Sequence, residues 1–379
     1  MSDWRVPLAD VEIGEAEIAA VSDTYRSGWL SMGPRTEELE KRFAEYVGST
    51  HAIAVASGTA ALHLICLAAG LGPGDEAIVP SLTFVATANA VRYTGATPVF
   101  ADIEGLERPW LSAKAVAAVI GTRTRAIMNM TYGGHPGASA ALAELAAERG
   151  LILLEDAAHG LGGSLGGQRL GTFGRAGAYS FFSNKNLPVG EGGMVVSDDD
   201  EIASQVRLLR SHGMTSLTWD RHRGHASSYD VVDLGFNYRI DEPRAAMALQ
   251  RLSRLDTDNA RRATAAAAYR RRLSGVRGVL TTMPEVADAT PANHLFTVVL
   301  AEEIDRDALR ATLAEQGVQT SLHYPPVHRF TAYGVDADLP KTEEYARRSV
   351  TLPMFPTISE EQIEWVADSL ERAAAFVRD

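Results

Sequence analysis

The chain has 379 residues, of which 46% are hydrophobic and 22% are charged, a composition typical of folded globular proteins that excludes disorder over most of its length. Its 36 Lys and Arg residues face 48 Asp and Glu residues, and the net charge of −12 argues against an extended basic surface for nucleic acid or an anionic membrane. One cysteine, Cys66, excludes an internal disulfide framework and a zinc site built from cysteines.

The N-terminal sequence, MSDWRVPLADVEIGEAE, carries acids where a secretory signal needs a basic start followed by an apolar stretch. No window of the chain reaches the roughly 18 apolar residues that a membrane-spanning helix requires. We therefore expect a cytoplasmic protein with neither a nucleic acid nor a membrane as its partner.

Between about residues 50 and 200, short apolar runs alternate with helical patterns. The runs are HAIAVA, EAIVP, TPVFAD, TRAIMNM, LILLED, AYSFF and GGMVVS. Runs that are apolar throughout are typical of buried parallel strands joined by crossover helices. The pattern predicts a doubly wound α/β domain that binds ligands at the carboxyl ends of its strands. A nicotinamide-dependent dehydrogenase is set aside, because no G-x-G-x-x-G follows the first strand.

After about residue 240 the pattern changes to a long helical stretch rich in Ala and Arg, DEPRAAMALQRLSRLDTDNARRATAAAAYRRRL. A smaller α+β part follows, with a strand at HLFTVVL and helices at DRDALRATLAEQG and SEEQIEWVADSLERAAAFV. We place the boundary between a large domain, residues 1–250, and a small domain, residues 251–379, within the long helix. Its Arg clusters are interleaved with Asp and Ala, which favours a solvated or subunit-facing surface over a polyanion site.

Two segments of the α/β region place polar groups at predicted strand ends. Ser57, Gly58 and Thr59 lie between a strand and a helix start, where backbone N–H groups bind phosphate, although the same residues suit an ordinary helix cap. Asp156 ends the run LILLED, so its carboxylate either meets a cationic partner in the crevice or caps the next helix. His159 follows it, and its position alone favours a hydrogen-bonded structural histidine over a general base.

Lysine is scarce in this chain and occurs only at positions 41, 114, 185 and 341. Lys185 follows the apolar strand of AYSFFSNKNLPVGEGG, so its amine can reach the crevice, whereas the other three lie in charged or exposed helical segments. A phosphate loop, a strand-end acid and a lysine, in that order, are what pyridoxal phosphate (PLP) needs. Their separations, 58 to 156 and 156 to 185, fit the large domain of fold type I enzymes.

Several separate motifs resemble those of the DegT/DnrJ/EryC1/StrS family of sugar aminotransferases over nearly the full length. These motifs are SGWLSMGPRTEELEKRFAEYVG, VASGTAALHL, VPSLTFVATANAV, EDAAHGLGG, SFFSNKNLPVGEGGMV, LRSHGM, GFNYRIDEPRAAM, LHYPPVH and LPMFPTIS. The resemblance implies a PLP-dependent transferase of fold type I, with a large domain built on a mostly parallel sheet and a smaller C-terminal α+β domain.

The resemblance also implies roles for individual residues. Lys185 corresponds to the lysine that forms the Schiff base with the cofactor aldehyde, and Asp156 to the partner of the pyridine nitrogen. The other implied cofactor contacts are Gly58, Thr59 and Ser180 at the phosphate, Phe84 on the ring face, His159 at the ring edge, and Asn237 supplied to the phosphate by the neighbouring subunit. His323 and Tyr324 correspond to a segment that approaches the sugar, although both are also explained as packing residues. For the anionic diphosphate we expect a local arginine site, with Arg239 as one candidate among many.

The implied reaction moves an amino group from L-glutamate, or glutamine, to a nucleotide-linked keto sugar in a homodimer with shared active sites. Lys185 stands where dehydrating family members have histidine, which favours amine transfer. The sequence DAAH at residues 156–159 favours C4 of an NDP-4-keto-6-deoxyhexose. The alternatives are an NDP-3-keto sugar, a keto-cyclitol of the scyllo-inosose type, and a non-catalytic PLP-binding regulatory protein, against which the presence of both Lys185 and Asp156 counts.

Overall fold

The computed structural model describes residues 4–216 and 228–376, and its first elements are two helices that precede the first strand of the main sheet. These are α1 (Glu15–Ser27) and α2 (Pro34–Val47). Helix α2 begins at a proline, whose missing N–H is not needed in the first turn, and it is capped after its last residue by Gly48, which adopts a left-handed φ of 75°.

The α/β region contains nine strands and the helices that connect them within the described ranges. In chain order they are β1 (His51–Val55), α3 (Gly58–Ala68), β2 (Glu76–Pro80), α4 (Ala86–Tyr93), β3 (Thr97–Ala101), α5 (Ala113–Val119), β4 (Thr124–Met130), α6 (Ser139–Arg149), β5 (Ile152–Asp156), β6 (Ser164–Leu165), β7 (Gln168–Arg169), β8 (Ala176–Ser180), β9 (Gly193–Ser197) and α7 (Asp200–Leu209). Seven of these strands form the main sheet, in the order β1-β9-β8-β5-β4-β2-β3.

Strand direction confirms the predicted mostly parallel sheet, with one correction. The pairs β2–β3, β2–β4, β4–β5 and β5–β8 are parallel. Strand β9, the run GGMVVS, is antiparallel to both of its neighbours, so its place among the parallel strands was wrong. The reason is its connection: residues 181–192 form a turn without a helix, and a parallel crossover needs a longer, usually helical, connection.

Helices cover both faces of this sheet, as the doubly wound pattern predicts. Along β1, Ile53 and Val55 pack into a core shared with α3 and α7, while Ala52 and Ala54 pack into a core shared with α2 on the opposite face. All four side chains are buried. Alternate residues therefore serve two different cores, which explains why the run is apolar at every position.

The C-terminal part begins with one long helix and continues as an antiparallel sheet with helices packed against it. Its elements are α8 (Glu242–Leu273), β10 (Val279–Thr281), β11 (Ala289–Thr290), β12 (Phe296–Leu300), α9 (Arg306–Glu315), α10 (Pro340–Arg348), β13 (Ser349–Leu352) and α11 (Glu360–Phe376). Strands β10, β12 and β13 form a three-stranded antiparallel sheet. The last residue of the predicted C-terminal helix, 377, lies outside the described residues.

Helix α8 runs through the predicted domain boundary without a break. Ala245 and Leu249, before the boundary, belong to the core of the main sheet, whereas Tyr269 and Leu273 belong to the core of the small sheet. Val6 joins that second core and pairs with Val318, so the start of the described chain packs with its C-terminal part. The division near residue 250 stays a prediction.

Among residues 4–216 and 228–376, no helix combines the length and apolar character of a membrane span.

Candidate active site

A cavity of about 400 Å³ opens where strands β4, β5 and β8 end and helix α3 begins. The last residues of the three strands, Met130, Asp156 and Ser180, all line it. Nine of the predicted site residues lie in its wall: Gly58, Thr59, Phe84, Asp156, His159, Ser180, Lys185, His323 and Tyr324. The carboxyl ends of parallel strands meet at one edge of a sheet, which is why residues distant in sequence converge here.

Asp156 is buried, and its carboxylate is held by hydrogen bonds. The hydroxyl of Thr87 donates to Oδ2 at 2.7 Å, and the backbone N–H of Ala158 donates to Oδ1 at 3.1 Å. Burial raises the pKa of Asp156, while these two donors and the amine of Lys185 act in the opposite direction. A buried carboxylate with this limited support is well suited to a cationic ligand group.

Lys185 lies in the turn that follows β8, where its backbone N–H donates to the carbonyl of Phe182 at 2.9 Å. The side chain is partly buried and lines the cavity. Burial lowers the pKa of the Lys185 amine to about 8, and the charge of Asp156 limits that decrease. A substantial fraction of the amine is therefore neutral, and nucleophilic, near pH 8.

The start of α3 forms the opposite wall of the cavity. Ser57 caps the helix, its hydroxyl accepting from the N–H of Ala60 at 3.1 Å. Gly58 packs so closely on Ser180 that a Cβ at Gly58 would lie 2.7 Å from the Ser180 Cβ. Unpaired N–H groups of a helix N-terminus together with the hydroxyls of Thr59 and Ser180 make this wall suitable for a phosphate.

His159, Tyr324 and Phe84 form an aromatic side of the cavity. The N–H of Gly133 donates to Nδ1 of His159 at 3.3 Å, so the proton of the neutral ring is on Nε2, which donates to the Tyr324 hydroxyl at 3.0 Å. Burial holds the pKa of His159 well below its usual range, as do the charges of Lys185 and His323. The ring of Phe84 is 55% exposed and lies 6.1 Å from that of Tyr324, between centroids. Its exposure leaves a ring face free for a ligand.

His323 is fixed by the small sheet. Its Nδ1 lies 2.9 Å from the Thr351 hydroxyl, and its carbonyl accepts a hydrogen bond from the hydroxyl of Tyr132. Burial lowers the pKa of His323 to about 4, and Lys185 adds to that effect. The segment LHYPP thus places a neutral imidazole and a neutral phenol at the cavity.

Two predicted site residues, Asn237 and Arg239, lie outside this cavity. Asn237 is exposed and its backbone pairs with Ser211. Arg239 is partly buried, and its Nη1 has no hydrogen-bond partner among residues 4–216 and 228–376. Burial and the charge of Arg210 lower its pKa. Neither residue reaches the cavity of its own chain, so any role at an active site requires a second subunit.

Several residues at or behind the cavity were not found from the sequence. Thr87 holds Asp156, and Asn184 and Glu191 add polar groups to the wall. Asn186 and His294 lie in a buried layer behind it. The sequence did hold a signal for three of these residues, because Asn184, Asn186 and Glu191 are in the same motif as Lys185. Nothing in the local sequence indicates that Thr87 or His294 contributes to the site.

A sheet of this topology, with a lysine and a strand-end aspartate in one cavity, defines the class of the protein: a PLP-dependent transferase of fold type I. The sequence model of the DegT/DnrJ/EryC1/StrS aminotransferase family matches residues 11–371, and the chain belongs to that family. It is a sugar aminotransferase.

Individual relatives cover nearly the whole chain. The spore coat polysaccharide biosynthesis protein SpsC of Bacillus subtilis (strain 168) is 38% identical in an alignment of 377 residues that covers 97% of this chain and 95% of SpsC. The aminotransferase TlmJ from Streptoalloteichus hindustanus has a crystal structure that superposes with a TM-score of 0.93, at 34% identity over 99% of this chain and 100% of TlmJ. DesI, solved in the presence of its TDP-sugar product, superposes with a TM-score of 0.89, at 33% identity over 100% of this chain and 94% of DesI.

Proposed function

We propose that the protein transfers an amino group from L-glutamate, or glutamine, to a nucleotide-linked keto sugar, with pyridoxal phosphate as cofactor. The observation that carries the proposal is the pairing of Lys185 and Asp156 in one cavity of about 400 Å³. The amine is partly neutral near pH 8 and the carboxylate is buried with few partners, so the two groups have the properties that this chemistry needs.

The residues around the cavity fit the cofactor. The close packing of Gly58 on Ser180 brings the start of α3 and the hydroxyls of Thr59 and Ser180 together on one wall, where a phosphate would be held. Asp156 would hold the protonated pyridine nitrogen, and the exposed face of Phe84 would stack on the ring. The neutral His159, with its proton on Nε2, would donate to an oxygen at the ring edge.

When bound, the cofactor supplies an aldehyde for a covalent link to an amine and a ring that accepts electrons. Lys185 Nζ would hold the cofactor through that link in the resting enzyme. Once freed by the amino donor, the same amine would take the proton from the donor α-carbon and later return one to the carbon of the sugar that receives nitrogen. Its pKa of about 8 suits both directions, since the amine can be neutral or charged without a large change in free energy.

The keto sugar would enter from the open side of the cavity, past His323 and Tyr324. The solved complex of DesI with its TDP-sugar product supports a nucleotide-linked substrate. A homodimer would bring Asn237 of one subunit to the phosphate in the other, and Arg239 to the mouth of that site as a partner for the diphosphate. The exposed position of Asn237, outside the cavity of its own chain, supports this arrangement.

We propose C4 of an NDP-4-keto-6-deoxyhexose as the position of amination, on the basis of the sequence DAAH at residues 156–159. The alternatives are an NDP-3-keto sugar and a keto-cyclitol, which needs no diphosphate site. A non-catalytic PLP-binding protein is a more distant alternative. A cytoplasmic location, with no nucleic acid or membrane partner, stays a prediction.

The deciding experiment is a substrate panel. The purified holoprotein is incubated with glutamate or glutamine and, in turn, TDP- and UDP-linked 4-keto and 3-keto sugars and scyllo-inosose, and the aminated product is identified by mass spectrometry. We expect product from a 4-keto nucleotide sugar, and none from the Lys185→Ala variant. Product from scyllo-inosose alone would contradict the nucleotide-sugar proposal, and PLP binding without any half-reaction with either donor would contradict amine transfer.

A further inference from the structure

Asn186, the residue after Lys185, is buried and makes three hydrogen bonds with its side chain. Its Nδ2 donates to Oδ1 of Asn259 at 2.8 Å and to the carbonyl of Ala292 at 2.9 Å, and its Oδ1 lies 3.0 Å from Nδ1 of His294. All three partners come from the C-terminal part of the chain, beyond residue 250. The lysine-bearing turn is therefore tied, one residue from the amine, to α8 and to the segment before β12.

Two backbone carbonyls fix the direction of every bond in this network. Nδ2 of Asn259 donates to the carbonyl of Leu161 at 3.0 Å, which leaves its Oδ1 as the acceptor for Asn186. Asn186 in turn must place Nδ2 towards the carbonyl of Ala292, so its Oδ1 is the acceptor for His294. His294 therefore carries a proton on Nδ1. The close approach requires a glycine at position 162, because a Cβ at Gly162 would lie 2.1 Å from Nδ2 of Asn259.

The network continues from His294 to the cavity wall. The His294 ring packs on the His159 ring with 4.2 Å between centroids. Both residues are also tied to Gly133: its carbonyl accepts from the backbone N–H of His294 at 2.9 Å, and its N–H donates to the ring Nδ1 of His159. His159 reaches the Tyr324 hydroxyl, so a continuous buried chain joins the lysine turn to the aromatic side of the cavity.

We propose that Asn186 is a positioning residue for amine transfer, which holds the turn that carries Lys185 and, through the ring of His294, sets the plane of His159. The inference rests on the aminotransferase activity proposed above. A misplacement of reacting groups by about 1 Å is enough to reduce a rate about 100-fold. Removing the three hydrogen bonds of Asn186 loosens the lysine and the histidine together, without altering any group that contacts the substrate.

The test compares Asn186→Ala with Asn129→Ala. Asn129 is also a buried asparagine, bonded to Ser139 at 2.9 Å, but its side chain is not in the cavity wall. For Asn186→Ala we expect kcat to fall about 10- to 100-fold with KM changed less than about threefold. We also expect the absorbance titration of the lysine-bound cofactor to move by about 0.5 in pH, because the charged and neutral groups around Lys185 shift relative to it. Asn129→Ala loses stability and changes neither quantity.

Two further measurements keep the proposal open to refutation. If Asn186→Ala does not fold, His294→Phe keeps a ring against His159 while it removes the bond to Asn186, and it must move the same titration. In the cofactor-free chain, the pH dependence of Lys185 acetylation by acetic anhydride, followed by mass spectrometry, must also change in these variants. An unchanged titration, an unchanged acetylation profile and a normal kcat in a folded variant would overturn the proposal. Absence of sugar amination in the wild-type protein would contradict the proposed function instead, since the titration and the acetylation need no substrate.

Discussion

The hydroxyl of Thr87 donates a 2.7 Å hydrogen bond to Oδ2 of Asp156, across 69 positions of the chain. Thr87 is fully buried and lies in the first turn of α4, where its N–H donates to the carbonyl of Phe84. The start of α4 therefore positions two groups: the ring of Phe84, which lines the cavity, and the hydroxyl of Thr87, which contacts the buried carboxylate of Asp156. This bond favours the ionised form of Asp156, against the effect of burial.

Replacing Thr87 with valine removes that bond and keeps the shape of the side chain. A hydrogen bond to a charged group contributes about 1.5–3 kcal/mol, so we expect kcat to fall about 10-fold or more. Because Thr87 lowers the pKa of Asp156, its loss raises that pKa, and the acid limb of the pH–rate profile moves to higher pH. Thr342→Val is the matched control, since Thr342 donates to Asp102 at 2.7 Å away from the cavity. Superimposable acid limbs for Thr87→Val and the wild type would contradict this role.

The amine of Lys185 is expected to titrate near pH 8 in the cofactor-free protein. The rate of its modification by an amine reagent, measured by mass spectrometry, should rise through that pH. Asp156 raises the pKa of Lys185, so Asp156→Asn should move the midpoint to lower pH. Glu191→Gln removes another carboxylate from the wall of the same cavity and serves as the control. A midpoint that moves upward, or equally in both variants, would show that Asp156 does not act on the amine.

A methyl group at position 58 tests the phosphate wall. The Cβ of Gly58→Ala would lie 2.7 Å from the Ser180 Cβ, so the start of α3 must move away from β8. We expect the affinity for pyridoxal phosphate, measured by fluorescence titration, to fall about 10-fold or more, because backbone N–H groups bind phosphate only in the right place. Gly72→Ala, where nothing lies within 4 Å, should bind the cofactor as the wild type does. Equal affinities of the wild type, Gly58→Ala and Gly72→Ala for pyridoxal phosphate would show that the start of α3 does not bind the phosphate.

The shared-site dimer is testable with two inactive chains. Lys185→Ala and Asn237→Ala proteins are each assayed alone and then after unfolding and refolding together. If each site takes Lys185 from one chain and Asn237 from the other, a mixed dimer contains one intact site, and about half of the wild-type activity per mixed dimer returns. Two Lys185→Ala preparations refolded together give the baseline. No recovery in a confirmed mixed dimer would place both residues in the same site.

The mostly parallel sheet and the two main site residues, Asp156 and Lys185, were accessible from the sequence because they depend on local signals. Asp156 ends one apolar run and Lys185 follows the next, and the carboxyl ends of parallel strands meet at one edge, so the convergence of the two residues follows from the sheet alone. The direction of β9 was missed because an apolar run carries no information on strand direction. The turn at residues 181–192, without a helix, was the available clue.

The support behind the cavity was not accessible in the same way. Thr87, Asn259 and His294 are common residue types in unremarkable positions, and their partners lie 69 to 108 positions away in the chain. Only the packing of α4, α8 and the segment before β12 against the main sheet brings these side chains to Asp156 and Asn186. The arginine expected at the diphosphate could not be identified from the sequence either, because spacing does not select Arg239 from 36 Lys and Arg residues. In the structure, Arg239 lies outside the cavity of its own chain.

The covalent link between Lys185 and the cofactor is the central claim, and chemical reduction tests it most directly. The holoprotein is treated with sodium borohydride, digested with trypsin and mapped by mass spectrometry, with Lys185→Ala as the control. The account predicts the mass of the reduced cofactor on the peptide of residues 176–207, uncleaved at Lys185, and on no peptide of the variant. The same mass on Lys41, Lys114 or Lys341, or on no peptide at all, would contradict it.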